Sequence, residues 1–296
     1  MRTRARKPDS SQIALLVETN DEIQYTQTEQ GDRIMVTQPI SKDEWISKLL
    51  EIRSLGWVPN ARPGNHGGVG NTLEDLLGIK ENNLPIPNAA EWELKCQAAG
   101  STSLTTVFHM EPSPTTFRFV PSILLPLYGW RHVEAGVKYP ETEMSFRQTI
   151  GTKARSDRGF CVFVDREQRK IVISFDAKSV DPRHKDWLSS VERRVGLGEL
   201  SPQPYWGFDD LYHKAGVKLT NVFYVEAQTK REGTTQYFNY SDIYMLKRFD
   251  LDGFLLLLEQ GVAFVDFDAR TGHNHGTKFR IPRNKFTTVY ESVERL

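Results

Sequence analysis

Residues 84–97 read Leu84-Pro-Ile-Pro-Asn88-Ala-Ala-Glu91-Trp-Glu93-Leu-Lys95-Cys-Gln97. From Ala90 onward the alternation predicts a strand. Successive strand side chains point to opposite faces, so Trp92, Leu94 and Cys96 share one face and can enter a core. Glu91, Glu93 and Lys95 share the other. Two carboxylates side by side repel each other, and a divalent cation would relieve that cost. A bare Glu-Leu-Lys triplet is common by chance, and alone it marks a half-buried strand with a solvated acidic face. The rest of the chain decides between the two readings.

The 296 residues have room for a sizeable core in one large domain or two small ones. Hydrophobic residues make up 39% and charged residues 26%, a globular composition. Lys plus Arg equals Asp plus Glu at 38 each, so a nucleic-acid partner cannot be argued from total charge and must rest on where the charges sit. Cys96 and Cys161 are the only cysteines, which excludes a disulfide framework and a four-cysteine zinc site and fits a reducing compartment. The start, Met1-Arg-Thr-Arg-Ala-Arg-Lys-Pro8, carries charge with no hydrophobic signal region behind it, and Phe254–Leu258 is far too short to cross a membrane. A cytoplasmic protein with no membrane partner is expected.

Residues 1–40 read as a basic tail and a small β-appendage, with strands at Ile13–Val17, Glu22–Gln27 and Arg33–Gln38. Ser41 with Glu44 forms a capping box ahead of a helix carrying Trp45, Leu49, Ile52 and Leu55, which Gly56 stops. The Gly-rich run from Pro59 to Gly70 reads as a loop, either a phosphate-approaching one or an ordinary connection. Asn71 is expected to cap the next helix, closed by Gly78. Glu74, three residues on, is then either a capping-box partner or a carboxylate turned toward Glu93. Further strands are expected at Thr102–His109, in a Gly159–Val164/Lys170–Asp176 hairpin, at Leu219–Thr229 with Tyr237–Tyr240, and at Val262–Asp268; a helix is expected over Leu251–Gln260. Residues 112–142 give no firm assignment.

Pro87-Asn88 followed by Glu93-Leu-Lys95 resembles the signature of the PD-(D/E)XK nucleases. More specifically, Gly70-Asn-Thr-Leu-Glu74-Asp-Leu-Leu-Gly-Ile79, then Pro87-Asn-Ala-Ala-Glu-Trp-Glu-Leu-Lys95, Ser145-Phe-Arg-Gln-Thr-Ile150, Tyr205-Trp-Gly-Phe-Asp-Asp-Leu-Tyr212 and His273-Asn-His-Gly-Thr-Lys-Phe-Arg-Ile281 resemble, in order, elements of the MvaI/BcnI restriction endonuclease family. The mismatch-repair nickase MutH has a related layout. The resemblance spans about residues 55–285.

It implies an α/β fold: a mixed β-sheet flanked by helices, with a catalytic lobe around residues 41–110 and a recognition lobe drawn from 118–194 and 262–285, all within a domain at 41–296. It also implies Mg²⁺ as cofactor, held by Glu93, Asn88, Glu91 and Glu74, with Lys95 orienting or deprotonating the attacking water. Asn88 departs from the family, which has an aspartate there. A neutral amide adds no negative charge for the cation. Either Glu91 supplies the missing carboxylate, or the chain binds DNA without cutting it, or the Pro87-Asn88 alignment is shifted.

Residues 269–285 hold five basic residues, two histidines and no acid, and residues 118–194 hold 15 Lys/Arg against 10 Asp/Glu. By resemblance His273, His275 and Arg280 read bases; alternatively the histidines cap a turn and Arg280 forms a salt bridge. Arg147, Lys153, Arg155, Arg158, Arg270 and Lys278 are phosphate candidates or a solvated surface. The expected activity is that of a monomeric type II enzyme cutting double-stranded DNA at a short CC/GG-flanked site, with a DNA methyltransferase as its functional partner. The alternatives are a site-specific DNA-binding protein with a disabled nuclease site and a MutH-like strand-nicking endonuclease.

Overall fold

The structure, a computed structural model, describes residues 24–27, 33–36, 41–64, 67–79, 92–100 and 103–296. The strand expected at Ile13–Val17, and Asn88 and Glu91, lie outside the described residues. β1 (Gln24–Gln27) and β2 (Arg33–Val36) pair antiparallel, as expected. Helix α1 (Lys42–Ser54) has the capping box: Glu44 N–H donates to Ser41 Oγ at 3.3 Å, and Ser41 N–H donates to Glu44 Oε2 at 2.6 Å. Trp45, Leu49 and Ile52 are buried, whereas Leu55 is exposed past the helix end.

The next stretch corrects the expectation. Trp57–Pro59 forms a short strand, β3, and helix α2 starts at Gly68 and runs to Leu77. Gly67 is the N-cap and makes no side-chain cap bond; Asn71 lies inside the helix, its N–H bonded to the Gly67 carbonyl. The Asn71–Glu74 capping box therefore does not form. Asn60 packs against the start of this helix: Thr72 Oγ1 donates to Asn60 Oδ1 at 3.3 Å, and a Cβ at Gly68 would lie 2.8 Å from the Asn60 amide nitrogen, so a side chain there would require Asn60 to shift.

The remaining elements are β4 (Glu93–Ala98), β5 (Leu104–His109), α3 (Leu125–Tyr128), β6 (Trp130–Arg131), β7 (Met144–Ile150), β8 (Arg158–Asp165), β9 (Lys170–Val180), α4 (Lys185–Val195), β10 (Tyr205–Gly207), α5 (Phe208–Lys218), β11 (Asn221–Glu232), β12 (Thr235–Phe249), α6 (Leu251–Glu259), β13 (Phe264–Arg270), β14 (His273–Asn274), β15 (Lys278–Pro282) and β16 (Tyr290–Arg295). The β8–β9 hairpin and the β11–β12 pair follow the sequence reading.

A five-stranded sheet has the order β16-β12-β11-β4, with β3 on β12. It is mixed: β4 runs parallel to β11, and the other pairs are antiparallel. A six-stranded antiparallel sheet has the order β5-β15-β13-β7-β6, with β14 on β13. The third sheet is β10-β9-β8.

Both faces of the five-stranded sheet are covered. Trp92, Leu94, Phe223, Val225, Ile243 and Met245 join Trp45, Leu49, Leu73 and Leu77 of α1 and α2 in one core. On the other face Val222, Tyr224 and Leu246 join a larger core with Phe286, Val289 and Tyr290. Burial on both sides explains why β11 reads as a continuous apolar run. Phe223 is fully buried between Trp45 (ring centroids 5.8 Å apart) and Trp92 (4.4 Å). Phe223→Ala should cost about 3–5 kcal/mol of unfolding free energy in urea titrations; a loss below about 1 kcal/mol would contradict this packing.

Candidate active site and nucleic-acid interface

Strand β4 separates its side chains as the alternation predicts. Trp92 and Leu94 enter the helix-side core, and Cys96 packs against it with Sγ 3.8 Å from the Val69 carbonyl. Glu93 and Lys95 take the opposite face, with Lys95 Nζ 3.0 Å from Glu93 Oε1. This face is not solvated. The Glu93 side chain is only 9% exposed and that of Lys95 25%. In the register Val222 lies beside Glu93 and Tyr224 beside Lys95. The Tyr290 hydroxyl is also buried and has no hydrogen-bond partner among the described residues. Burial, then the nearby Glu93 charge, push its ionisation well above the ordinary tyrosine range.

A buried carboxylate is costly, and one ammonium on the same strand offsets only part of that cost. Such an arrangement is poor at stabilising a fold and is typical of functional sites.

Glu74 approaches β4 from the other side. Its helix packs Leu73 and Leu77 on the face that holds Leu94. Burial, then the Glu74 charge, raise the Cys96 thiol far above its usual range. The structure thus joins Glu93 with Lys95 and sets Glu74 near Cys96.

The six-stranded sheet carries the basic residues. Along β13, Val265, Phe267 and Ala269 are buried, while Asp266, Asp268 and Arg270 line the opposite face. There each expected DNA contact of β7, β13 and β15 meets an acid. Arg280 lies 3.1 Å from Asp266, Arg147 2.6 Å and Lys278 3.5 Å from Asp268, and Arg270 3.0 Å from Glu143. The salt-bridge alternative for Arg280 is therefore the one present. Burial pushes the Asp268 carboxyl up, but the Arg147 hydrogen bond and charge and the Lys278 and His275 charges hold it below the ordinary aspartate range.

The sequence reading counted the bases here and missed their partners. The signal was available in Phe264-Val-Asp-Phe-Asp-Ala-Arg270, whose period of two puts both aspartates on the face of Arg270.

His273 and His275 sit together, ring centroids 4.2 Å apart. They do not cap their own turn. Glu111 accepts from Thr277 N–H at 2.9 Å and from Asn274 Nδ2 at 3.3 Å, and Asn274 Oδ1 accepts from Gly276 N–H at 3.0 Å. Glu111 positions this turn and was not foreseen, because its partners lie far along the chain.

Of the other candidates, Arg155 points inward, donating to the Gly159 carbonyl at 2.9 Å and to Ser174 Oγ at 3.0 Å. Arg158 stacks on Trp130 at 3.9 Å. Lys153 is exposed, with its stem against Gly261.

His109 links the two regions. It sits opposite Lys278 in the β5–β15 register. Burial, followed by the charges of Lys278, Lys95, Lys218 and Lys214, lowers its pKa to about 4.

A mixed sheet flanked by helices, with a buried Glu-Xaa-Lys pair beside a charged sheet face, has the layout of a restriction-endonuclease fold. The MvaI/BcnI restriction endonuclease family model matches residues 46–290, and the chain belongs to that family. A solved structure described as the restriction endonuclease MvaI–cognate DNA substrate complex aligns with a TM-score of 0.68 and 22% identity, covering 86% of this chain and 98% of that one. Restriction endonuclease MvaI in the absence of DNA aligns with a TM-score of 0.47 and 20% identity, covering 88% and 99%. Comparison with curated proteins gives no match. No helix among the described residues is long and apolar enough to cross a membrane.

His109 should titrate near pH 4 when followed by NMR of its ring protons. The unfolded chain, with a histidine pKa near 6.5, binds this proton more readily than the fold does. The His109 contribution to stability is therefore present above about pH 6.5 and is lost as pH falls toward 4. A midpoint near 6.5 would contradict the lysine-lined setting.

Proposed function

We propose that the chain is a Mg²⁺-dependent type II restriction endonuclease that hydrolyses phosphodiester bonds of duplex DNA at a short CC/GG-flanked site. It would act as a monomer, with a DNA methyltransferase of the same host protecting that site. One observation carries the reading: a buried carboxylate 3.0 Å from a lysine ammonium, on the end strand of the mixed sheet in a chain from a restriction endonuclease family.

Phosphodiester hydrolysis requires an oriented water and relief of negative charge at phosphorus. A divalent cation, when bound, supplies the charge relief and lowers the pKa of water. Glu93 would hold it, with Asn88 and Glu91 as further donors; Glu74, on the Cys96 side of β4, would not share it. Among the described residues no three His, Cys, Asp or Glu side chains gather to hold a metal. Mg²⁺ suits so sparse a set, because it binds through one or two carboxylates and keeps several waters. Lys95 would orient the attacking water and share the charge of the phosphate.

In this reading the catalytic lobe lies around residues 41–110 and the recognition lobe in 118–194 and 262–285. Arg147, Lys153, Arg270 and Lys278 would contact phosphates, and His273, His275 and Arg280 would read base edges; Arg155, held inward by Gly159 and Ser174, would support the fold instead. Arginine can bond guanine O6 and N7 in a bidentate fashion. The ion pairs with Asp266, Asp268 and Glu143 would open as DNA arrives.

Asn88 favours a second reading, a site-specific DNA-binding protein whose nuclease site lacks one anionic ligand. A gain of cutting by Asn88→Asp would support it. A MutH-like nickase would leave one strand of every site intact.

Incubation with plasmid DNA and Mg²⁺ tests the main reading. The parent should cut at discrete, mappable sites, and Glu93→Ala and Lys95→Ala should each slow cutting at least about a hundredfold while still binding duplex in Ca²⁺. Variants cutting as fast as the parent would refute the assignment.

A further inference from the structure

Helix α5 leads directly into the strand beside the Glu93–Lys95 pair. It ends at Lys218, and Val222 of β11 is the residue in register with Glu93. The helix is anchored by Leu211, Ala215 and Leu219, all buried and four residues apart. Lys214 and Lys218 precede two of these anchors, are themselves four residues apart, and so share a face of the helix. Both side chains are half-buried. Like charges at this spacing repel. Among the described residues neither lysine has a salt-bridge partner, whereas Lys95 pairs with Glu93 and Lys278 with Asp268.

The direction in which the two ammonium groups act is also defined. Together with Lys95 and Lys278 they bear on His109, which is kept neutral. His109 faces Lys278 across the β5–β15 pair and lies beside the Gly276 turn. The β5–β15 register fixes Lys278 beside His109, and the charges of Lys95, Lys214 and Lys218 also bear on that ring; among the described residues Lys214 and Lys218 are the two of these four with no salt-bridge partner. Two ammonium groups without a paired acid among the described residues, on the helix that leads into the strand beside Glu93, suit an anion with several acceptor oxygens.

We propose that Lys214 and Lys218 clamp backbone phosphates of the DNA strand that runs past Glu93 and Lys95. This rests on the nuclease reading and adds a binding element that the sequence motifs do not contain. Each lysine would neutralise one phosphate and release its condensed counterions.

The test is duplex binding in Ca²⁺ across a salt series. Each neutralised phosphate contributes about −0.9 to the slope of log K against log salt, so Lys214→Gln/Lys218→Gln should flatten the slope by about 1.8. Lys214→Arg/Lys218→Arg should keep the parent slope. Lys42→Gln/Lys48→Gln, on the exposed side of α1, should also keep it. A Gln double variant with native circular dichroism and an unchanged slope would overturn the clamp and leave the nuclease reading standing. Equal flattening by the α1 variant would also overturn it, as an effect of net charge alone. A parent that binds no duplex at any salt would remove both readings.

Discussion

The structure depends on one constraint: the five-stranded sheet is buried on both faces, yet its strand β4 carries two charges. Phe223, Leu94 and Trp92 hold β4 against α1 and α2. Val222, Tyr224 and Tyr290 close the opposite side. Glu93 is thereby fixed with little water around it, and Lys95 is the nearest relief. Charges held at low effective dielectric interact far more strongly than in water. The fold bears a desolvation cost at this point, and the same cost makes the site receptive to a cation and a phosphate.

The charged sheet face follows a related logic. Its arginines and lysines are paired with Asp266, Asp268 and Glu143. Arg147 is exposed, but the other pairs are partly buried, so a phosphate or base edge that replaces an aspartate must itself neutralise the freed cation. Lys214 and Lys218 stand apart from this pattern, because among the described residues neither has a salt-bridge partner.

Much of this was legible wherever the determining contacts are local. The Ser41–Glu44 capping box, the β8–β9 hairpin and the two faces of β4 depend on residues a few positions apart. The start of α2 lies three residues before Asn71, at a Gly67 cap with no side-chain bond, so no capping residue marks it in the sequence. The alternation of β4 gave its two faces but not that both are covered, since its neighbour β11 and the residues Phe286, Val289 and Tyr290 on the Glu93 side come from far downstream. For the same reason Glu111 behind the His273–His275 turn, and the lysines around His109, could not be read from spacing.

The central claim is that Glu93 is a cation ligand rather than half of a structural ion pair. Mn²⁺ binding to the duplex complex, followed by electron paramagnetic resonance, tests it most directly. The parent should take up Mn²⁺ saturably, and Glu93→Gln, which keeps the shape but loses the charge, should weaken uptake at least about tenfold, as expected when a hard cation loses an anionic oxygen ligand. Unchanged Mn²⁺ affinity in a folded Glu93→Gln protein that still binds duplex would contradict the account.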